Sequence, residues 1–209
     1  MPNNAATGWD RRDFLGGAAL LALALGLPVA AVRLSDLPED EAPSDRQRQL
    51  MGRVAQLVIP RTDTPGGGDV GAGDFVLLAL AHRLSGSGDP VSSGSLPGLT
   101  RHLRTDGSLR HADWLEAELD RRAGGDFLRV PSRQVHLLGA VDAEAYAEGQ
   151  DHHPWRTIKT FVLTGYYTSK AGGSQELRYE LVPGRWDPDL PATPQTRAFS
   201  SDWTAVDFG

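Results

Sequence analysis

The chain contains no cysteine among its 209 residues. That excludes disulfides, thiolate zinc sites and iron–sulfur clusters. It also excludes a C-x-x-C-H haem attachment and a cysteine nucleophile. Positive charge is scarce: Lys and Arg total 21 against 27 Asp and Glu, a formal net charge of −6. A general nucleic-acid binder needs a basic footprint, so nucleic acid is not an expected partner. Strand-like alternation is almost missing, and nothing repeats at a fixed period. There is no P-loop, no H-E-x-x-H and no strand–turn–helix G-x-S-x-G. Hydrophobic residues reach 40%, while Gly (24) and Pro (14) are frequent. This composition predicts a modest core and much loop.

The N-terminus is the one place with a long apolar run. Asp10-Arg11-Arg12-Asp13-Phe14-Leu15 leads into it, and it continues to about Val32 with small residues at Val29-Ala30-Ala31. This order is that of a cleavable signal peptide, with an uncleaved anchor helix as the alternative. Arg11, Arg12, Phe14 and Leu15 point to the twin-arginine route, which carries chains already folded. The expected division is a signal peptide over 1–31, an acidic proline-containing linker over 32–44, and one helical domain over 45–209. Removing 1–31 takes away two Arg and two Asp, so the charge stays at −6.

The mature part reads as mostly α: a small irregular helical domain with long loops and an irregular C-terminal tail. Ser44-Asp45 caps a helix whose apolar residues are Leu50, Val54, Leu57 and Val58, ending at Pro60. Residues 61–73 read as a Gly-rich loop, and Asp74 as the cap of a short apolar helix, Phe75–Leu84. Residues 85–100 read as a long exposed loop. Further helices are expected from Ser108 to about Ala123, from Pro131-Ser132 to about Ala147, and from Pro154 to Leu163. Val135, Leu138 and Val141 form the apolar face of the second of these. A short hairpin is expected near Leu177–Val182.

Gly66 to Gly71 fits G-x-G-x-x-G, but that fingerprint needs a strand before it. Here a helix precedes, so a flexible surface loop is expected instead. The six histidines, at 82, 102, 111, 136, 152 and 153, show no pair at zinc-ligand spacing and are expected at the solvated surface. Two clusters stand out. Arg61-Thr62-Asp63-Thr64-Pro65 sets a charge, a carboxylate and two hydroxyls between prolines. Arg61 could pair with Asp63 or with a partner's carboxylate, and the cluster reads equally as a self-capped helix exit. Gly165-Tyr166-Tyr167 combines a helix-ending glycine with two rings of the kind enriched at interfaces, or in ordinary core packing. The tail adds Trp186 and Trp203, aromatics that need a surface to cover.

These same stretches resemble the gluconate 2-dehydrogenase subunit 3 family. The resemblance rests on the twin-arginine start, the string Val58-Ile59-Pro60-Arg61-Thr62-Asp63-Thr64-Pro65-Gly66, the string Gly165-Tyr166-Tyr167-Thr168-Ser169, and Tyr179 to Gly184 ending in Val182-Pro183-Gly184. The Gly/Ser-rich loop over 85–100 departs from the family's pattern. The resemblance implies a non-catalytic small subunit, with no cofactor in this chain. It implies a large partner of the glucose–methanol–choline type that holds FAD and oxidises a sugar or polyol. A cytochrome c subunit, where present, takes the electrons. It further implies export by the twin-arginine translocase to the periplasm, association with the inner membrane through the complex, and a chaperone-like role toward the flavoprotein. Arg61, Thr62, Asp63, Thr64, Pro65, Gly165, Tyr166, Tyr167, Trp186 and Trp203 are the candidate partner interface; no catalytic or metal residue is assigned. The residues alone leave open an independent periplasmic enzyme with a carboxylate or histidine site, or a binding or structural module.

Overall fold

A computed structural model describes residues 34, 37–91, 98–179, 191, 193, 196–197 and 199–200. The signal-peptide residues Arg11, Arg12, Phe14 and Leu15, and the tail residues Trp186 and Trp203, lie outside them.

Among the described residues, five α-helices make the body. Helix α1 spans Asp45–Val58. Its cap is reciprocal: Ser44 Oγ accepts from the Gln47 amide at 3.1 Å, and Gln47 Oε1 accepts from the Ser44 amide at 2.9 Å. It ends before Ile59-Pro60, because a residue preceding proline is pushed out of helical geometry. Helix α2 spans Ala72–Ala81. It starts three residues earlier than expected, and Gly71 at φ +78°, not Asp74, stands at its cap. Only glycine takes that backbone geometry without strain. Asp74 instead sits in the first turn, where a carboxylate meets the positive end of the helix dipole.

Helix α3 spans His111–Ala123 and stops at Gly124 in the left-handed region. Ser108 does not begin it; its amide and hydroxyl donate to Asp106 Oδ1 and close a turn instead. Helix α4 spans Gln134–Ala145 and helix α5 spans Pro154–Tyr167, one turn longer than expected. Short 3-10 turns at Leu84–Gly86, Leu99–His102 and Phe127–Arg129 join these pieces. After α5 comes a π-helical turn, Gly172–Glu176. Of the stretch where a hairpin is expected, residues 180–182 lie outside those described, and Arg178–Tyr179 pairs in parallel with Phe199–Ser200.

The fold is mostly helical, as the periodicity predicts. Helix α2 is apolar nearly all round and lies at the centre, with its most extensive contacts to α1 and α5. Leu50, Met51 and Val54 of α1, Val76 of α2, Leu115 and Leu119 of α3 and Trp155 and Ile158 of α5 are all essentially fully buried. Each such side chain contributes roughly 1.5–3 kcal/mol of hydrophobic burial.

The acidic segment expected as a linker is fastened to this body over residues 37–44. Glu41 accepts two bonds from Arg104, at 3.0 and 2.6 Å, and Arg110 donates to the Asp40 carbonyl at 3.1 Å. On α4 the apolar register differs from expectation. Val135 is 71% exposed, while Gln134 is buried, accepting from Arg53 Nε at 2.6 Å and donating to the Phe127 carbonyl at 2.9 Å. A buried amide is tolerated because both its ends are satisfied.

Candidate partner-docking surface

The segment after α1 is a tight turn, not the flexible loop its glycines suggest. The Gly67 amide donates to the Ile59 carbonyl at 2.8 Å, and the Gly68 amide donates to Gln56 Oε1 at 3.0 Å. A Cβ at Gly67 would sit 2.5 Å from the Ala55 carbonyl oxygen. These glycines therefore let backbone lie directly on the last turns of α1. The G-x-G-x-x-G string bridges two helices, with no strand before it.

Arg61 pairs with Asp69 at 2.6 Å, not with Asp63. The hydrogen bond from Arg61, together with the Gly66 amide donating at 2.8 Å, holds the Asp69 carboxyl below the ordinary aspartate range. Asp63 is largely exposed and lies 3.8 Å from Arg197. Thr62 and Thr64 approach each other through their hydroxyls at 3.2 Å. Thr64 is buried, and its hydroxyl donates to Glu176 Oε2 at 2.6 Å.

Gly165 does not end α5; it lies inside it. A Cβ there would come within 2.7 Å of Phe75 Cδ1, so this glycine sets how closely α5 approaches α2. Tyr166 is buried, and its hydroxyl donates to the Pro65 carbonyl at 3.0 Å. Tyr167 is 39% exposed, and its ring stands edge-on to Tyr166 with centroids 5.2 Å apart. Burial, then the nearby Glu176 charge, pushes the Tyr167 phenol above its usual range. Ser169 Oγ donates to the Tyr166 carbonyl at 2.6 Å and closes the helix end.

The two clusters singled out in the sequence thus meet. Thr64 and Pro65 touch Glu176 and Tyr166 across more than a hundred residues of chain. Of the set, Thr64, Gly165 and Tyr166 are spent on internal packing. Arg61, Thr62, Asp63 and Tyr167 face outward.

Beyond Tyr167, the outward apolar residues of α4 and α5 are not among the candidates the sequence offers. Val135, Tyr146, Leu163 and Tyr167 are the exposed large hydrophobic residues among those described, and all lie on α4, α5 or the residue ending α4. On α5, Lys159, Leu163 and Tyr167 recur every four residues, one face of the helix. On α4, Val135, Gly139, Asp142 and Tyr146 share a face in the same way. A groove of about 230 Å³ between them is floored by Leu57, Val58, Leu138 and Trp155, with the Lys159–Asp142 pair (2.7 Å) at its rim. A second groove, of about 320 Å³, runs past Phe75, Leu78, Gly165 and Ser169. Large apolar side chains beside grooves with polar rims are the chemistry of a protein-binding surface.

Histidine also departs from expectation. His111 and His153 are buried rather than solvated. Among the described residues no group of three or more His, Asp or Glu is arranged to hold a metal ion, and no helix is long and apolar enough to cross a membrane.

The sequence profile of the family described as gluconate 2-dehydrogenase subunit 3 matches residues 45–184. That span runs from the first residue of α1 through both motif clusters. No curated protein and no solved structure matches the chain.

Proposed function

The chain belongs to the gluconate 2-dehydrogenase subunit 3 family, accessory subunits of dehydrogenase complexes, and from that premise we propose that it escorts and stabilises a large FAD-dependent flavoprotein. The partner is of the glucose–methanol–choline type, acts on a sugar or polyol, and holds the FAD. This chain supplies no catalytic group. It supplies the twin-arginine signal, and the folded pair crosses to the periplasm together. There the complex sits at the inner membrane, with a cytochrome c subunit as electron acceptor where one is present.

The observation that carries this reading is the family match over 45–184, directly behind a twin-arginine pattern. The logic is mechanical. A flavoprotein loads FAD as it folds, so it must cross folded, and one signal serves two chains that are already docked. The exposed α4–α5 face offers the docked surface, and covering it removes apolar area from water in both partners.

Replacing Arg11 and Arg12 by Lys tests the reading. The large subunit should then accumulate in the cytoplasm with its FAD bound, as fractionation and flavin fluorescence would record. A flavoprotein that still reaches the periplasm in full would overturn the escort role.

A further inference from the structure

His153 and His111 are only 7% and 8% exposed, and they line one cavity of about 380 Å³. His153 is the cap of α5: its Nδ1 accepts the Trp155 amide at 3.2 Å. Its ring stands edge-on to Trp114 of α3, with centroids 5.4 Å apart. His111 opens α3, and its Nδ1 lies 3.1 Å from the Leu109 carbonyl. A carbonyl only accepts, so His111 Nδ1 carries the proton.

The two rings therefore respond differently to acid. The His111 bond survives protonation, because its Nδ1 is already a donor. The His153 bond does not, because an amide N–H needs the lone pair that a second proton would take. Position adds to this, since a cation at a helix N-terminus faces the positive end of the dipole. The usual cap residues, Ser, Thr, Asp and Asn, do not change state near neutral pH in this way. A histidine makes the cap conditional.

The charged groups around His153 come from three helices. Glu118 and Arg122 lie on α3, Glu144 on α4 and Arg156 on α5. The cavity wall adds Asp89, Asp151, His152 and His111. Glu118 and Glu144 are both shared with Arg122, at 2.6 and 2.5 Å, and Asp151 lies 3.3 Å from Arg156. Glu118, Glu144 and Asp151 thus already serve arginines.

We propose that His153 is a proton-operated latch on α5: neutral, it closes the first turn, Pro154–Thr157, against α3; protonated, it releases that turn while the rest of the fold holds. Burial keeps the imidazole neutral below the usual histidine range, so the latch is shut at neutral pH and opens in mild acid. The latch is independent of the escort reading, and its test needs no partner.

Amide hydrogen exchange on the full-length chain between pH 7.5 and pH 5 tests it, with rates corrected for the intrinsic pH dependence of exchange. The Trp155 and Arg156 amides report the latch; Val76 to Leu80 in α2 report global opening. Opening at Trp155 should grow by up to about tenfold per pH unit across the titration, over and above any global opening that α2 records. His153→Asn keeps a cap but removes the titrating nitrogen, and should leave Trp155 following α2. His153→Ser serves the same purpose should the Asn variant fail to fold. In the unsubstituted chain the ring 15N shift of His153 should titrate with the same midpoint as the exchange. A flat wild-type profile, an equal slope in the variants, or a rise at Trp155 no steeper than that in α2 would each overturn the proposal.

Discussion

Helix α1 is held on its two sides by opposite means. Toward α2 and the turn at 59–71 the contact is backbone on backbone, opened by glycines. A Cβ at Gly73 would lie 2.6 Å from the Gly52 nitrogen, and one at Gly68 would lie 2.8 Å from the Gly52 carbonyl oxygen. Toward α3 the contact is ionic. Arg46 reaches Glu116, Asp120 at 2.7 Å and Asp126 at 3.0 Å, and Gln47 donates to Asp113 at 2.6 Å. The glycine side is indifferent to salt and intolerant of one added carbon. The ionic side tolerates changes of shape and depends on the solution around it.

The largest effect is expected where that contrast is sharpest. Gly73→Val forces side-chain carbon into helix backbone that cannot rotate away, and should cost about 3 kcal/mol. Urea unfolding at low and at high salt would show the same loss. A cost below about 1 kcal/mol would mean that α1 and α2 can separate, and the contrast would collapse.

Acid comes next. Burial pushes His111 down to about 4, so the folded chain refuses a proton that the unfolded chain accepts from about pH 6.5. Stability present above pH 6.5 is therefore lost as pH falls through that window, by up to about 3 kcal/mol, an order-of-magnitude figure. The carboxylates at Asp126, Glu118 and Asp69 titrate below their ordinary range and add losses only in stronger acid. Unfolding free energies measured from pH 7 to pH 4 should fall throughout. A level profile above pH 5 would remove histidine from the account.

The smallest effect belongs to the ionic side. Arg46 is about one-third exposed, so solvent screens its pairs. Arg46→Met should cost about 0.5–1 kcal/mol at low salt and little above half-molar salt. A loss that survives high salt would mean that the three carboxylates are buried against one another, and the two sides of α1 would be alike after all.

Local chemistry was legible in the sequence; tertiary choice was not. The cap at Ser44, the stop before Pro60, the start at Pro154 and the apolar period of α3 all obey rules that act within a few residues. Gly165 reads as a helix end because a glycine's usual local role is to stop a helix. Its role in the fold is set by Phe75, which no nearby residue announces. Arg61 had Asp63 beside it, yet the turn brings Asp69 closer. Gln134 sits inside and Val135 outside because Arg53 and the Phe127 carbonyl are waiting there. A lone histidine carries no period at all, so burial at His111 and His153 had no signal to precede it. Both motif clusters were visible as composition, while their meeting through Thr64, Glu176, Pro65 and Tyr166 was not.

That meeting also sets a clock. The Pro65 carbonyl leaves the ribosome 101 residues before the Tyr166 hydroxyl that binds it. At about 5–20 residues per second, the first half waits roughly 5–20 s for its counterpart. Helices α1 and α2 can pair early, through neighbours in sequence, but α5 can cover α2 only once residues 154–167 have been made. A chain cut short before Pro154 therefore leaves the apolar flank of α2 bare.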